Sequence, residues 1–426
     1  MKIGILFDDA GFQNIDFRYP ENGNPGIGGT QFCFLMLIRY YSKINKTDEL
    51  IVYHLNSNDS NKYWENITLK HTSLEDFSLE CKKDNIDIAL ISISRLKILE
   101  NQLSLNCIKT IVWAHNFLTQ ELLNLTRKSE IVKRIVFVGK EQYDRYIDDD
   151  IINKSVCIMN IFNANCPEYQ RESQLKNIVT YTGAIVKGKG FHVLAREWTN
   201  ILKEVPDAEL YVLGTGNLYG GNIKMGKYGI ASEEYEKEFI PYLLDSEGKI
   251  LPSIHFMGIL GKEKNKIYQK TKVGIINPTA RTEICSISAI EMEACGIPVV
   301  SKFHNGMPDV IENKQTGLLP KNKKSFRKNV IKLLKDNQLN ILYSKQAKTY
   351  VNKKFNPNLG IKLWEKTFND VHNDILPTYN PPQKNYTNNF KFARVINRFL
   401  RYQLGLRFLP SLACLEWKIV KLLNRK

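Results

Sequence analysis

Along the chain, short runs that are apolar on both faces alternate with stretches of helical period. "KIGILFD", "ELIVYHL", "IDIALIS", "KTIVWAH", "KRIVFVG" and "KSVCIMN" form a first series, ending near residue 157. "NIVTYTGAIV", "AELYVLGTG", "SIHFMGIL", "KVGIINP" and "IPVVSKF" form a second. Strands without a polar face, separated by helices, predict parallel sheets covered on both sides. The pattern therefore predicts two doubly wound α/β domains in tandem, joined near "IFNANCPEYQ" at 161–170. Ligands of open α/β sheets bind beyond the carboxyl ends of the strands. His115, Gly183, Gly214 and Gly216 all fall at such ends, so they are candidates, although glycine is common in any βα loop.

"GIGGTQFCFLMLIRYY", residues 26–41, sets three glycines directly before an apolar helical run. Glycine at a helix start marks unusual dihedrals or a close approach to the backbone, and the N–H groups there suit a phosphate. An ordinary glycine-rich loop reads the same way from these residues alone.

With 426 residues, 43% of them hydrophobic, the chain can bury large cores. Its eight cysteines are scattered without a CxxC pair, which fits a reduced, cytosolic protein with no structural metal. The N-terminus reads as a first buried strand rather than a signal peptide, and no stretch has transmembrane length without charge. Net charge is +16, and residues 384–426 hold ten Lys/Arg against a single acid, Glu416. The excess charge is thus a basic tail on a mildly basic body, which argues against a general nucleic-acid binder.

"RTEICSISAIEMEACGIPVV", 281–300, places Glu283 and Glu291 around seven residues and continues through Gly296 and Pro298 into an apolar strand. Here the sequence resembles the family four retaining glycosyltransferases, the glycosyl transferases group 1. The resemblance extends to "GIGGTQF", "YTGAIVKGKGFHVL", "LYVLGTG" and "NGMPDVIENKQTGLL", in consistent order over roughly residues 1–370. It implies the GT-B fold: two facing Rossmann-like domains, at 1–165 on the acceptor side and 166–352 on the nucleotide-sugar side. It further implies a helix over 353–378 that crosses back to the first domain, ahead of the tail at 384–426.

By the same resemblance, Lys189 is the phosphate lysine, Glu283 holds a donor-sugar hydroxyl, and Glu291 accepts from the nucleotide ribose. His115 approaches the donor sugar near the reacting carbon, while Gly28 and Gly29 bring the first domain's backbone to the donor diphosphate, with Thr30 adding a hydroxyl. The N–H groups of Cys285, Ser286, Ile287 and Ser288, at a helix start, supplement the lysine, and Gly183, Gly214 and Gly216 line the donor site. A departing diphosphate needs fixed cations and N–H groups, which explains these residue types. One departure stands out: Ala184 occupies the position where many members carry a second phosphate-binding arginine, so Lys187 or Arg281 is expected to replace it. Cys285 and Ser286 also stand where an aromatic residue and a glycine are common.

After "ILPTYNPPQKNYTNN" the tail carries a basic stripe, Lys391, Arg394, Arg398 and Arg401, beside Phe392, Val395, Ile396 and Phe399. A second stripe, Leu412, Leu415, Ile419 and Leu422, lies beside Lys418, Lys421 and Arg425. Basic residues at an anionic interface contribute about 1 kcal/mol each, so the tail is expected to bind a membrane surface and to be dispensable for folding, the alternative being that one or both stripes pack on the body. The whole reads as a bacterial, cytoplasmic, peripheral membrane enzyme. It transfers a sugar from a nucleotide-diphosphate sugar to a saccharide or lipid-linked saccharide acceptor, with no bound metal and no other cofactor. "DD" at 8–9 and "DDD" at 148–150 are read as loops. A GT-B epimerase or phosphorylase, and a non-catalytic sugar-nucleotide-binding protein, are the alternatives.

Overall fold

A computed structural model describes all residues except 58–62, 65–66, 167–168, 173, 218–222 and 424–426, with only the backbone of 420–423. The chain forms two compact units: Met1–Arg18, Thr30–Ile161 and Pro357–Lys426 make the first, Tyr19–Gly29 and Phe162–Asn356 the second.

In the first unit, seven parallel strands are β1 (Lys2–Phe7), β2 (Glu49–His54), β3 (Thr68–His71), β4 (Ile88–Ser92), β5 (Lys109–Ala114), β6 (Val132–Phe137) and β7 (Ser155–Cys157). Their order is β3-β2-β1-β4-β5-β6-β7. β1 and β5 are buried at every position but the first, as their unbroken apolar runs require. The helix Pro357–His372 completes this unit, with Trp364 edge-on to Trp113 at 4.8 Å and Phe368 edge-on to Tyr41 at 5.5 Å. Gly360 is obligatory in that contact, since a Cβ there would lie 2.0 Å from Ile161.

The second unit holds β8 (Ile178–Thr182), β9 (Glu209–Leu213), β10 (Ile254–Gly258), β11 (Val273–Ile275), β12 (Val299–Val300) and β13 (Gly317–Leu318), all parallel. Their order, β10-β9-β8-β11-β12-β13, reverses direction between β8 and β11. That reversal is the topological switch point, where neighbouring connections leave in opposite directions and open a crevice at the strand ends.

The tail belongs to the first unit and corrects the charge reading. Its helix Lys391–Arg398, continued over Phe399–Gln403, turns the basic stripe inward. Lys391, 1% exposed, pairs with Glu141 and, at 3.2 Å, with Asp144; Arg394, fully buried, pairs with Glu416 and donates to the Arg145 carbonyl at 2.7 Å. Arg401 reaches Asp150 at 3.0 Å, and Arg398 donates to the Ile147 carbonyl at 2.7 Å. The acids at 148–150 are therefore the tail's seat: Asp148 and Asp149 are buried, and Asp148 also accepts from Asn397 at 2.7 Å. Val395, Tyr402, Ala413 and Cys414 pack on the core of this unit. Arg425 lies outside the described residues, as do the side chains of Lys421 and Leu422.

Two predictions follow from burial. Removing one partner of a buried ion pair leaves an uncompensated charge and costs about 3–5 kcal/mol. Lys391→Ala is thus expected to lower the melting temperature by many degrees, and a chain ending at Pro382 to fold poorly, whereas Lys384→Ala at an exposed site should leave melting within a degree or two. A thermal melt in which Lys391→Ala behaves like Lys384→Ala would show that the tail does not contribute to the body.

The second prediction concerns Glu293, fully buried on the helix Ile287–Ala294. One carboxyl oxygen accepts from the Thr316 hydroxyl at 2.5 Å, and the other has no hydrogen-bond partner among the described residues. Burial pushes this acid up to about 8, against smaller opposing pulls from Thr316 and Lys354. The unfolded chain ionises at the ordinary value while the folded chain keeps its proton, so stability falls as pH rises from the ordinary carboxyl range to about 8. Each unit of such a shift is worth about 1.4 kcal/mol. In Glu293→Gln the melting temperature should fall less steeply between those limits than in the wild type; parallel pH profiles would refute the assignment.

Candidate functional site

The switch point gathers the chemistry of the second unit. Beyond β8 the chain runs through Gly183, Ala184 and Lys187 to Lys189, and turns at Gly190 into the helix Phe191–Glu204. Beyond β11 it runs through Asn277, Thr279 and Arg281 to Glu283, and then into the helix Ile287–Ala294. The two loops are latched together. The Gly188 carbonyl accepts from the Asn277 amide at 3.1 Å and from the Thr279 and Thr282 hydroxyls at 3.3 and 3.4 Å. Gly190 has φ +70, and a Cβ there would sit 2.7 Å from the Thr279 methyl, so no other residue fits without strain.

At the centre of this latch the Lys189 ammonium lies 2.6 Å from Glu283 Oε1, which also accepts from Asn277 Nδ2 at 3.0 Å. Burial alone would push Glu283 up. The Lys189 ammonium, with hydrogen bonds from Lys189, Asn277 and Ser286, instead holds its carboxyl below the ordinary range. Glu283 is thus ionised at neutral pH and fixes the lysine in one place. Its backbone is fixed too: the Glu283 carbonyl accepts from Gly306 N–H at 3.1 Å, and a Cβ on Gly306 would overlap the Ile284 carbonyl. Ser286 caps the following helix, its Oγ accepting from Ala289 N–H at 3.4 Å. The N–H groups of a helix's first turn lack in-helix partners, so Ile287 and Ser288 present a positive end beside Cys285 and Ser286.

The other expected residues divide into those that join this group and those that do not. Lys187 turns outward to Glu238, 2.6 Å away on the helix Glu233–Phe239. Arg281 is exposed and makes no ion pair among the described residues. Ala184 is buried. Gly214 and Gly216 serve backbone packing: a Cβ on the first would lie 2.1 Å from the Gly183 carbonyl oxygen, and one on the second 2.5 Å from Ala231 Cα.

Glu291 is buried, its Oε1 3.1 Å from the Lys264 ammonium and 3.2 Å from the Asn24 N–H. Lys264 in turn donates to the Asn24 carbonyl at 2.8 Å, and a Cβ on Gly23 would sit 2.8 Å from the same carboxylate oxygen. These contacts fasten the glycine segment Tyr19–Gly29 to the second unit, which corrects its expected place in the first domain. Within it, Asn24 Oδ1 accepts from Gly26 and Ile27 N–H, each at 2.9 Å, and Gly26 adopts φ +99. Gly28 is half-buried, and a Cβ on Gly29 would meet nothing within 4 Å. Thr30 opens the next segment of the first unit, in the first turn of the helix Gly29–Ile44.

His115 follows β5 in the first unit, its ring 4.5 Å from Trp113 and 6.1 Å from Phe34 between centroids. Burial drives its pKa down to about 3, against a weaker pull from Asn160, so the imidazole is neutral at pH 7. Sequence reasoning missed Asn277 and Asn305, which donates to the Ala280 and Arg281 carbonyls at 2.9 and 2.8 Å. Both have positive φ, 31° and 46°, and an asparagine two residues past a strand or before a glycine was the available signal.

Comparison with known proteins bears on the fold and on the second unit. Residues 176–336 match the model of the family described as Glycosyl transferases group 1. The uncharacterized glycosyltransferase MJ1069 of Methanocaldococcus jannaschii is 22% identical over 195 residues, which span 45% of each chain, less than half the length of that relative. Among solved structures, Anabaena HepE in complex with UDP and glucose superposes with TM-score 0.65 at 13% identity, over 87% of this chain and all of that one. Sucrose-phosphate synthase from Thermosynechococcus elongatus gives 0.67 at 13% identity, over 88% and 100%. A Rickettsia africae glycosyltransferase gives 0.64 at 14% identity, over 87% and 98%. At such identities the likeness is one of fold. The chain has the GT-B architecture of two Rossmann-like units, and the stretch that matches the glycosyl transferases group 1 model lies in the second of them.

Proposed function

We infer that the protein is a retaining glycosyltransferase. In this reading it moves a sugar from a nucleotide-diphosphate sugar to a saccharide or lipid-linked saccharide acceptor in bacterial surface-glycan synthesis, from the cytoplasmic face of the plasma membrane. The observation that carries this reading is the fixed Lys189–Glu283–Asn277 group beside the start of the helix Ile287–Ala294, at the switch point of the second sheet. A nucleotide sugar as donor is supported by HepE, whose structures hold UDP and UDP-glucose.

In the proposed reaction the bond between the anomeric carbon and the diphosphate oxygen breaks, the electron pair leaves with the diphosphate, and the acceptor oxygen bonds to the anomeric carbon as its hydroxyl proton passes to the departing diphosphate. Lys189 and the helix N–H groups meet the growing negative charge without reorganising, the role that makes a bound metal unnecessary in this proposal. Glu283 positions Lys189 and accepts from sugar hydroxyls. His115, neutral at pH 7, is suited to exchange a hydrogen bond with a hydroxyl and not to protonate one. Glu291 is assigned to the nucleotide ribose on the strength of its place in the motif alone. In the structure it holds Lys264 and the glycine segment. The buried Ala184 favours the second reading, a sugar-nucleotide-binding protein without turnover, unless another cation completes the phosphate site.

Lys189→Ala is expected to lower kcat by two to three orders of magnitude, about 3–4 kcal/mol, with a smaller change in donor KM. Arg281→Ala should reduce turnover markedly, whereas Lys187→Ala should cost little because that ammonium is turned to Glu238. Steady-state kinetics with a responsive UDP-sugar decide both. Wild-type kinetics in Lys189→Ala would defeat the assignment, silence of Arg281→Ala would remove it as the replacement cation, and absent wild-type turnover across a panel of nucleotide sugars that bind would favour the non-catalytic reading.

A further inference from the structure

The tail helix is amphipathic in the reverse of the usual sense. Its basic side faces protein, and its apolar side faces outward. Phe392, Ile396 and Phe399, at helical spacing i, i+4 and i+7, are 62%, 45% and 53% exposed, and Phe390 and Phe408 are 69% and 80% exposed. Isolated exposed apolar residues are ordinary, but an aromatic stripe held outward marks a contact surface. The stripe cannot roll inward, because Lys391, Arg394 and Arg401 are fixed on the opposite side by Glu141, Glu416 and Asp150.

We propose that this face, Phe392, Ile396 and Phe399, together with the exposed Phe390 and Phe408 of the flanking segments, inserts into the boundary between headgroups and acyl chains of an anionic bilayer. Charge complementarity favours lipid over a protein groove. The exposed charged side chains between 384 and 419 are Lys384, Arg407 and Lys418, all basic; of these Arg407 is paired with Asp150 at 3.0 Å, and Glu416 is taken up by Arg145 and Arg394. An aromatic face on a segment whose exposed charged side chains are all basic, and whose neighbouring acids Asp150 and Glu416 are both ion-paired, matches an interface with anionic headgroups above acyl chains. The attachment therefore depends mainly on apolar burial, and the basic stripe that the sequence suggested as the lipid contact acts instead as the bracket that aims the aromatic face. This inference builds on the membrane location proposed above, but its test reads binding alone, so its failure leaves the donor chemistry standing.

The test is co-sedimentation of the full chain with vesicles of phosphatidylglycerol and phosphatidylethanolamine, at low salt and at about 0.5 M salt, where surface charges are screened over only a few ångströms. The wild type is expected to bind at low salt and to keep a substantial bound fraction at high salt. The triple variant Phe392→Ser/Ile396→Ser/Phe399→Ser should lose about tenfold or more at both, with an unchanged melting temperature because these side chains are exposed. Lys384→Gln/Lys418→Gln should weaken only the low-salt binding. Ile341→Ser/Leu342→Ser, exposed on the second unit, should change nothing. If the triple variant misfolds, Phe408→Ser replaces it and should reduce binding several-fold. Wild-type failure to bind, equal binding by a folded triple variant, or a dimer in solution that this variant dissolves would each overturn the proposal.

Discussion

The ion pair between Lys189 and Glu283 is the constraint around which the second unit's loops are arranged. A buried carboxylate without partners costs several kcal/mol, so it persists only where cation and hydrogen bonds reach it together. Lys189 can reach it because the loop after β8 is drawn against the loop after β11, and that closeness needs Gly188 and Gly190 to carry no side chain beside Thr282 and Thr279. Asn277 serves both loops at once, with one amide group donating to the Gly188 carbonyl and to Glu283. Gly306 closes the far side by letting its backbone lie on Ile284. Loosening any of these contacts would move the ammonium, and an electrostatic site is only as good as the placement of its charge.

The same rule about buried charge explains the tail. Lys391, Arg394 and Arg401 are enclosed because acids wait for them at Glu141, Asp144, Asp148 and Asp150, and the acids tolerate burial for the same reason. Such pairs contribute modest net stability, since desolvation offsets most of the attraction, yet they fix orientation. Here the orientation has a consequence. A helix whose charged side is committed to protein must present its apolar side outward, the opposite of what solvent alone would select.

Sequence patterning revealed most of the sheet because a parallel strand buried on both faces has little choice of residue. β1, β2 and β4 to β12 all fall on the apolar runs, β6 beginning one residue before its run. β3 and β13 were invisible. Thr68–His71 is a partly exposed edge strand without alternation, and Gly317–Leu318 is too short to have a period. Helical spacing likewise showed which tail residues share a face but not which face turns inward, because "DDD" at 148–150 lies more than 230 residues before its partners in the chain. In the candidate site, the motif placed Lys189 and Glu283, which the structure brings within 2.6 Å of each other. The asparagines that hold them were not legible, because a turn asparagine reads alike whether its amide faces solvent or a carboxylate. Gly214 and Gly216 show the converse, being legible as special positions but special for backbone contact.

Charge balance at the switch point narrows what can stand in for the side chain missing at Ala184. Lys189 is matched by Glu283, so together they form a dipole rather than a net cation, and a helix start supplies only about half a charge. In the proposed reaction the departing diphosphate carries more negative charge than that. Lys187 could leave Glu238 cheaply, since an exposed pair is worth about 0–1 kcal/mol. Its ammonium, however, would arrive as a strongly hydrated point charge on a flexible stem. Arg281 needs no partner broken among the described residues, and it follows the same strand end as Glu283. Its planar fork can meet two phosphate oxygens at once, which a lysine cannot. A guanidinium carried on the loop after β11 would thus restore what the loop after β8 has given up at Ala184.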